Sequence, residues 1–142
     1  MRTTRSYLTL SICLMLIAGS ACSASFSTAN MSSLKLGKDK EASQETSSFG
    51  PEDKIYAVAV ISNSMSDVKV KGHLSVEDIP GQKNGPIPNT EIVVDLPTSG
   101  NATFTWTPPP AGWPKGKYKV EAVMLNENGE QKDQKSATLT VS

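Results

Sequence analysis

The sequence predicts an all-β chain, an antiparallel sandwich of about seven strands behind an N-terminal leader and a short tether. Three observations carry this. Apolar and polar residues alternate from Lys54 to the end of the sequence, the period-two pattern of half-buried strands. Pro, Gly and Asn cluster between the alternating runs, where turns need their backbone freedom or rigidity. Beyond the leader, no segment sustains the 3.6-residue apolar repeat of an amphipathic helix. The expected organisation is a leader over 1–21, a flexible tether over 22–30 and one β domain over 31–142.

The leader begins with Arg2 and Arg5, continues as an uncharged apolar run from Leu8 to Ala21, and ends in small residues. That run is shorter than the roughly 20 residues a membrane-spanning helix requires, so it reads as a secretory signal peptide. Its end, Ala18-Gly19-Ser20-Ala21-Cys22, resembles the lipobox of bacterial lipoproteins, with Gly19 standing where Leu or Val is commoner. The resemblance implies a diacylglycerol on the Cys22 thiol, cleavage between Ala21 and Cys22, and acylation of the new amine. Several acyl chains anchor stably where one does not. It also implies a cell-envelope location at the outer membrane, because Ser23 follows the cysteine instead of the Asp that retains lipoproteins in the inner membrane.

Ser23 to Asn30 is small, polar and aperiodic, which suits a flexible tether. Leu34 and Leu36 share a face in a short first strand, 31–37, and the polar stretch 38–48 reads as a long loop or further tether. From Ile55 to Ile61 both faces are apolar, as in a central strand. Val68, Val70, Gly72, Leu74 and Val76 alternate with Lys69, Lys71, His73, Ser75 and Glu77 in the clearest in-and-out pattern of the chain. Ile92, Val94 and Leu96 form the next strand, and Ala102, Phe104 and Trp106 the one after it. Tyr118, Val120, Ala122 and Met124 follow, then Ala137, Leu139 and Val141, with Asn126 to Gly129 as a hairpin turn between these last two.

This strand count and spacing match an immunoglobulin-like or fibronectin type III-like sandwich. The Cys-Trp-Cys core of antibody domains is absent. The runs Phe49-Gly-Pro-Glu-Asp53-Lys-Ile55-Tyr56 and Gly112-Trp113-Pro114-Lys-Gly116-Lys-Tyr118-Lys-Val120 resemble poorly characterised bacterial Ig-like modules. That resemblance implies the fold and no activity.

Charge narrows the function. The 14 Lys and Arg balance 14 Asp and Glu, with one His and two Cys. No cationic excess is available to hold nucleic acid phosphates, and a His/Cys metal site lacks its usual ligand count. No cofactor is expected. Cys13 leaves with the leader and Cys22 carries lipid, so no intramolecular disulfide forms.

Few residues suggest chemistry. His73 lies on the polar face of its strand without a nucleophile motif near it. Glu52-Asp53, Glu77-Asp78 and Glu127 with Glu130 fall at strand ends and turns, where carboxylates keep a surface solvated. Asn101-Ala-Thr103 matches the glycosylation triplet, a coincidence in a bacterial chain. Lys69 and Lys71 could join Lys115, Lys117 and Lys119 in a basic stripe if their strands are neighbours, or they could blunt strand edges. The loop carrying Pro108, Pro109, Pro110 and Trp113 is stiff, and its Trp either meets a partner or caps the open end of the core. The expected function is a non-enzymatic, lipid-anchored module that binds another envelope protein through loops or a strand edge. Alternatives are a carbohydrate- or small-ligand-binding module, or an inhibitor of a secreted enzyme that presents the Gly81 to Asn89 loop as a wedge.

Overall fold

The computed structural model describes residues 28–142; the leader, Cys22 and Ser23 lie outside the described residues. Nine strands follow in order: β1 (Asn30–Gly37), β2 (Ser48–Phe49), β3 (Ile55–Ser62), β4 (Val68–Asp78), β5 (Gly85–Pro86), β6 (Ile92–Leu96), β7 (Gly100–Trp106), β8 (Gly116–Asn126) and β9 (Gln131–Val141). Seven of these have five or more residues and match the predicted strands; β2 and β5 are two-residue additions.

Two sheets face one another. One has the order β1-β3-β7, with both neighbours antiparallel to the central β3. The other runs β2-β9-β8-β4, with β5 and β6 placed one after the other along the far side of β4. Taken in chain order, the long strands form the A-B-E and G-F-C-C′ sheets of a fibronectin type III-like sandwich. The one departure from antiparallel pairing is β2, which runs parallel to the end of β9.

The boundary between tether and domain shifts. Asn30 already belongs to β1, Ala29 packs against the core, and the Thr28 hydroxyl donates to Asn63 O at 3.3 Å. Segment 38–47 is a folded loop, not tether. Asp39 accepts from Ser43 N and Oγ, and Ala42 is buried with a φ of 47°. The loop crosses the outer face of the first sheet, where Thr103 Oγ1 reaches Lys40 O and a Cβ on Gly37 would stand 2.8 Å from the Ala42 Cα. Val58 of the central strand is buried on that same outer face, which explains why β3 is apolar on both sides.

The core fills the space between the sheets. Ile55, Ala57, Ala59, Ala102 and Phe104 meet Val70, Leu74, Val120, Ala122 and Met124, all fully buried. Gly72 is required at the centre of β4, since a Cβ there would stand 2.8–2.9 Å from three atoms of the Phe104 ring. Its missing side chain is the seat for an aromatic ring from the opposite sheet.

At one end of the sandwich the two motif segments clasp each other. Trp113 is 8% exposed and lies edge-on to Tyr118. Its N–H donates to Pro51 O at 2.7 Å and its indole Nε1 to Asp53 O at 2.9 Å. Asp53 holds the other half of the clasp, accepting from Gly50 N at 2.7 Å and pairing with Lys38 at 2.9 Å. Gly116, at φ 148°, passes so close that a Cβ would stand 2.5 Å from Asp78 O. Two residues later the Tyr118 hydroxyl donates back to Pro114 O at 2.6 Å, the geometry of a tyrosine corner. Trp113 therefore caps the core. Of the two readings its loop left open, this is the second: Pro51, Asp53 and Tyr118 surround the ring.

Two outcomes follow from the clasp. Tyr118→Phe leaves the Pro114 carbonyl without its donor and should lower stability by about 1 kcal/mol, read as a lower urea midpoint at unchanged slope. The Lys38 ammonium and the Gly50 N–H hold the Asp53 carboxyl below its usual value near 3.8. A lowered folded pKa means stability that is complete above roughly pH 5 and lost as pH falls through the folded value. Asp53→Asn should thus cost up to about 1 kcal/mol at neutral pH, and thermal melts should show the deficit closing below pH 3.8.

Candidate functional site

The strand framework decides which surface groups meet. β4 and β8 are neighbours, but Lys69 pairs in register with Leu125 and Ser75 with Lys119, so the two lysine sets lie at opposite ends of the sheet. Each set also meets acid: Lys69 with Asp95 at 2.7 Å, Lys71 with Glu91 at 3.9 Å, and Lys119 with Glu121 at 3.1 Å. No basic stripe results. Both strands are central, so their lysines guard no edge.

Between these sets lies a polar cluster. Glu121 Oε2 is 2.7 Å from His73 Nε2 and accepts from Ser75 Oγ at 3.0 Å. Partial burial pushes the Glu121 pKa up, and the hydrogen bonds from Lys119 and Ser75, the Lys119 charge and His73 together outweigh it, so the carboxyl stays below its usual range. The carboxylate sits between serine and histidine, so the hydroxyl proton goes to the acid and not to the imidazole. A nucleophile–base pair needs the opposite order.

The other sequence candidates have structural places. Asp53 belongs to the clasp, Glu77 accepts from Thr138 Oγ1, and Glu130 binds Asn126 and Lys132. Pro109 and Pro110 are exposed and Pro108 half-buried, in a loop closed by Gly112 N to Pro109 O at 2.8 Å. The 81–89 loop is exposed at residues 81–84, while β5 and Ile87 are tied to β4. Among the described residues no group of three or more His, Cys, Asp or Glu is placed to hold a metal ion.

Register then locates a surface the sequence did not single out. Asn30 pairs with Ser62, Ile61 with Gly100 and Val68 with Asn126. The start of β1 therefore shares one end of the sandwich with the β3–β4, β6–β7 and β8–β9 turns. There Ser64, 6% exposed, ties two turns together: its N–H donates to Ser99 Oγ at 2.8 Å, its hydroxyl to Ser66 O, and its carbonyl accepts from Thr98 Oγ1. With Ser64 fixed inward, Met65 is held outward and is 98% exposed.

Beside it opens a cleft of about 350 Å³ lined by Asp67, Val68, Lys69, Asp95, Leu96, Pro97 and Glu127. The cleft continues into the edge strand β6, which pairs with β4 alone. Two of the other edges carry the usual guards, and the third is polar. β9 carries Lys132 and Lys135, β1 carries a bulge and Lys35, and β7 turns Asn101, Thr103 and Thr105 outward. β6 has neither lysine nor bulge, and Val93 on its outer face is 46% exposed. Met65 and Val93 are the exposed large hydrophobics among the described residues; neither lines the cleft, whose lining begins two residues beyond each, at Asp67 and Asp95. Neither signal is strong in sequence: a Met among the polar residues of 62–67, and an apolar run, Ile92-Val93-Val94, that turns no polar residue outward at its centre.

No family model matches the chain, and no curated protein matches it. Among solved structures it is similar to a Niemann-Pick type C2 protein from Japanese carpenter ant, at 14% identity and a TM-score of 0.47, over 80% of this chain and 92% of that one. It is also similar to Spo0M, a sporulation control protein from Bacillus subtilis, at 10% identity and a TM-score of 0.37, over 79% of this chain and 50% of that one.

Proposed function

We propose that the chain is a lipid-anchored, non-enzymatic binding module of the cell envelope that holds a segment of another envelope protein along β6 and the adjoining cleft. The observation that carries this reading is the edge strand β6, which pairs with β4 alone, leaves Val93 46% exposed and contributes Asp95 and Leu96 to the adjoining cleft. Strand addition satisfies the outward backbone groups of an edge and takes its specificity from side-chain pockets.

The anchor gives the cleft its orientation. Cys22 precedes Asn30, the start of β1, by eight residues, a reach of roughly 25–30 Å when extended. The cleft shares that end of the domain, so lipidation would present it toward the membrane and raise its local concentration for partners there. Ser23 supports the outer membrane as the site.

The other classes have less behind them. Sugar-binding sites use an exposed aromatic ring, yet no aromatic residue lines the cleft and Trp106 and Trp113 are both buried. The wedge of an inhibitor would need a free 81–89 loop, and Gly85, Pro86 and Ile87 of that loop are bonded to β4.

Two measurements test the proposal. Cys22→Ser should move the protein from the membrane to the soluble fraction on detergent phase partitioning; persistence in the membrane fraction would remove the anchor. A photo-reactive residue in place of Val93 should give one defined adduct in living cells, and the same residue in place of Thr105, on the opposite sheet, should give none. Equal or absent labelling at the two positions refutes the β6 contact.

A further inference from the structure

The chain enters the domain at the turn that carries Met65. Thr28 donates its hydroxyl to Asn63 O at 3.3 Å, and Asn63 Nδ2 reaches Asn30 Oδ1 at 3.5 Å. Asn63 has a φ of 58°, a left-handed conformation that Asn tolerates. Ser64 is bonded inward, so Met65 stands at the tip of a fixed turn. A single exposed hydrophobe is ordinary on a protein surface; the position of this one is not. Cys22 lies six residues before Thr28, roughly 20 Å of extended chain. Acyl chains on Cys22 would therefore keep the Met65 turn near the bilayer, whatever the attitude of the rest of the domain. The exposed side chains of Asn30, Asn63, Ser66, Thr98 and Ser99 at this end are polar and uncharged.

We infer that Met65 inserts into the membrane beside the lipid anchor, seating the β3–β4 turn on a zwitterionic lipid surface. This rests on the reading of Cys22 as the anchor. One side chain would not hold a free domain at a bilayer, where even a single acyl chain binds only marginally. The tether makes this second contact intramolecular, so that effective concentration stands in for intrinsic affinity. Uncharged neighbours enter the headgroup layer without the penalty of desolvating an ion. Asp67 and Glu127, exposed at the same end, repel anionic headgroups and favour a surface without net charge. Two contacts fix an orientation that one tether leaves free. They set the Leu96 end of β6, paired with Val68, nearest the membrane.

The test uses the full lipidated chain on phosphatidylcholine vesicles. Residues 28–142 contain no cysteine and acylation blocks the Cys22 thiol, so Met65→Cys takes an environment-sensitive dye at one place. The dye should brighten several-fold and shift to the blue on vesicles, and lipid brominated in its acyl chains should quench it. Lys83→Cys, in the exposed loop beyond the far end of β4, should show neither effect. Replacing half the lipid with phosphatidylglycerol should weaken the response at low ionic strength; a stronger response overturns the zwitterionic preference. In the unlabelled chain, peroxide should convert Met65 to its sulfoxide several-fold more slowly on vesicles than in the Cys22→Ser chain free in solution. Met31 and Met124, both buried, serve as the internal reference. Equal dye responses at 65 and 83, or equal oxidation of Met65, in a chain that floats with the vesicles overturns the inference and leaves the anchor standing. A chain that does not float overturns the anchor itself. A dye response in native membranes with none on pure lipid would place a protein over Met65 and overturn the lipid contact.

Discussion

The packing of Phe104 over Gly72 is the contact on which the sandwich depends. Residues 28–142 contain no cysteine, so no covalent bridge joins the sheets, and apolar burial is the main force that holds them face to face. Small residues opposite one another, Ala57 and Ala59 against Ala122 and Gly72, bring the backbones close, and one aromatic ring fills the remaining space. Phe104 stacks on Trp106 at 5.9 Å, and Trp106 donates its indole N–H to Thr90 O at 2.7 Å. Thr90 in turn bonds Leu74 through its side chain, which fixes the segment leading into β6. A single inter-sheet contact thus extends, through two polar handles, to the edge strand beside the cleft.

The same logic governs the opposite end. Trp113 and Tyr118 are core residues whose polar atoms fasten surface loops. Burial also pushes the Tyr118 phenol above its ordinary pKa near 10, keeping it a hydrogen-bond donor. Aromatic residues that look like contact sites in a list of residues are here the pins that let loops run over a small core without a disulfide.

The long strands are readable in the sequence because each has one buried face, and burial imposes the period of two. β9 shows where that signal fails. Its last residues alternate, but Gln131 to Ser136 are polar throughout because this half lies at a sheet edge with little buried beneath it. β2 and β5 escape for a different reason, since two-residue pairings depend on tertiary placement and leave no periodicity. The polarity of the 38–47 segment leaves loop and tether both open in the sequence, and Asp39 uses that polarity to fold it. The candidate site is the least readable part. Asp67, Asp95 and Glu127 are scattered along the chain and meet only through strand register, and the exposure of Met65 depends on hydrogen bonds that Ser64 makes to a turn thirty-five residues away. The lipobox-like run that suggests an anchor, by contrast, is a local motif of adjacent residues and needs no fold to be seen.

The parallel pairing of β2 with β9 bears on time. Ser48 lies against Thr140 and Phe49 against Val141, and Met31 N reaches Asp133 across 102 residues. Contacts between distant parts of a chain close slowly, because loop entropy is lost before the contact is gained. Sandwiches of this kind fold in roughly milliseconds to seconds. A chain whose second strand must wait for its ninth stays open while it is being made, which is the state in which a polypeptide can be threaded through a membrane before it takes shape.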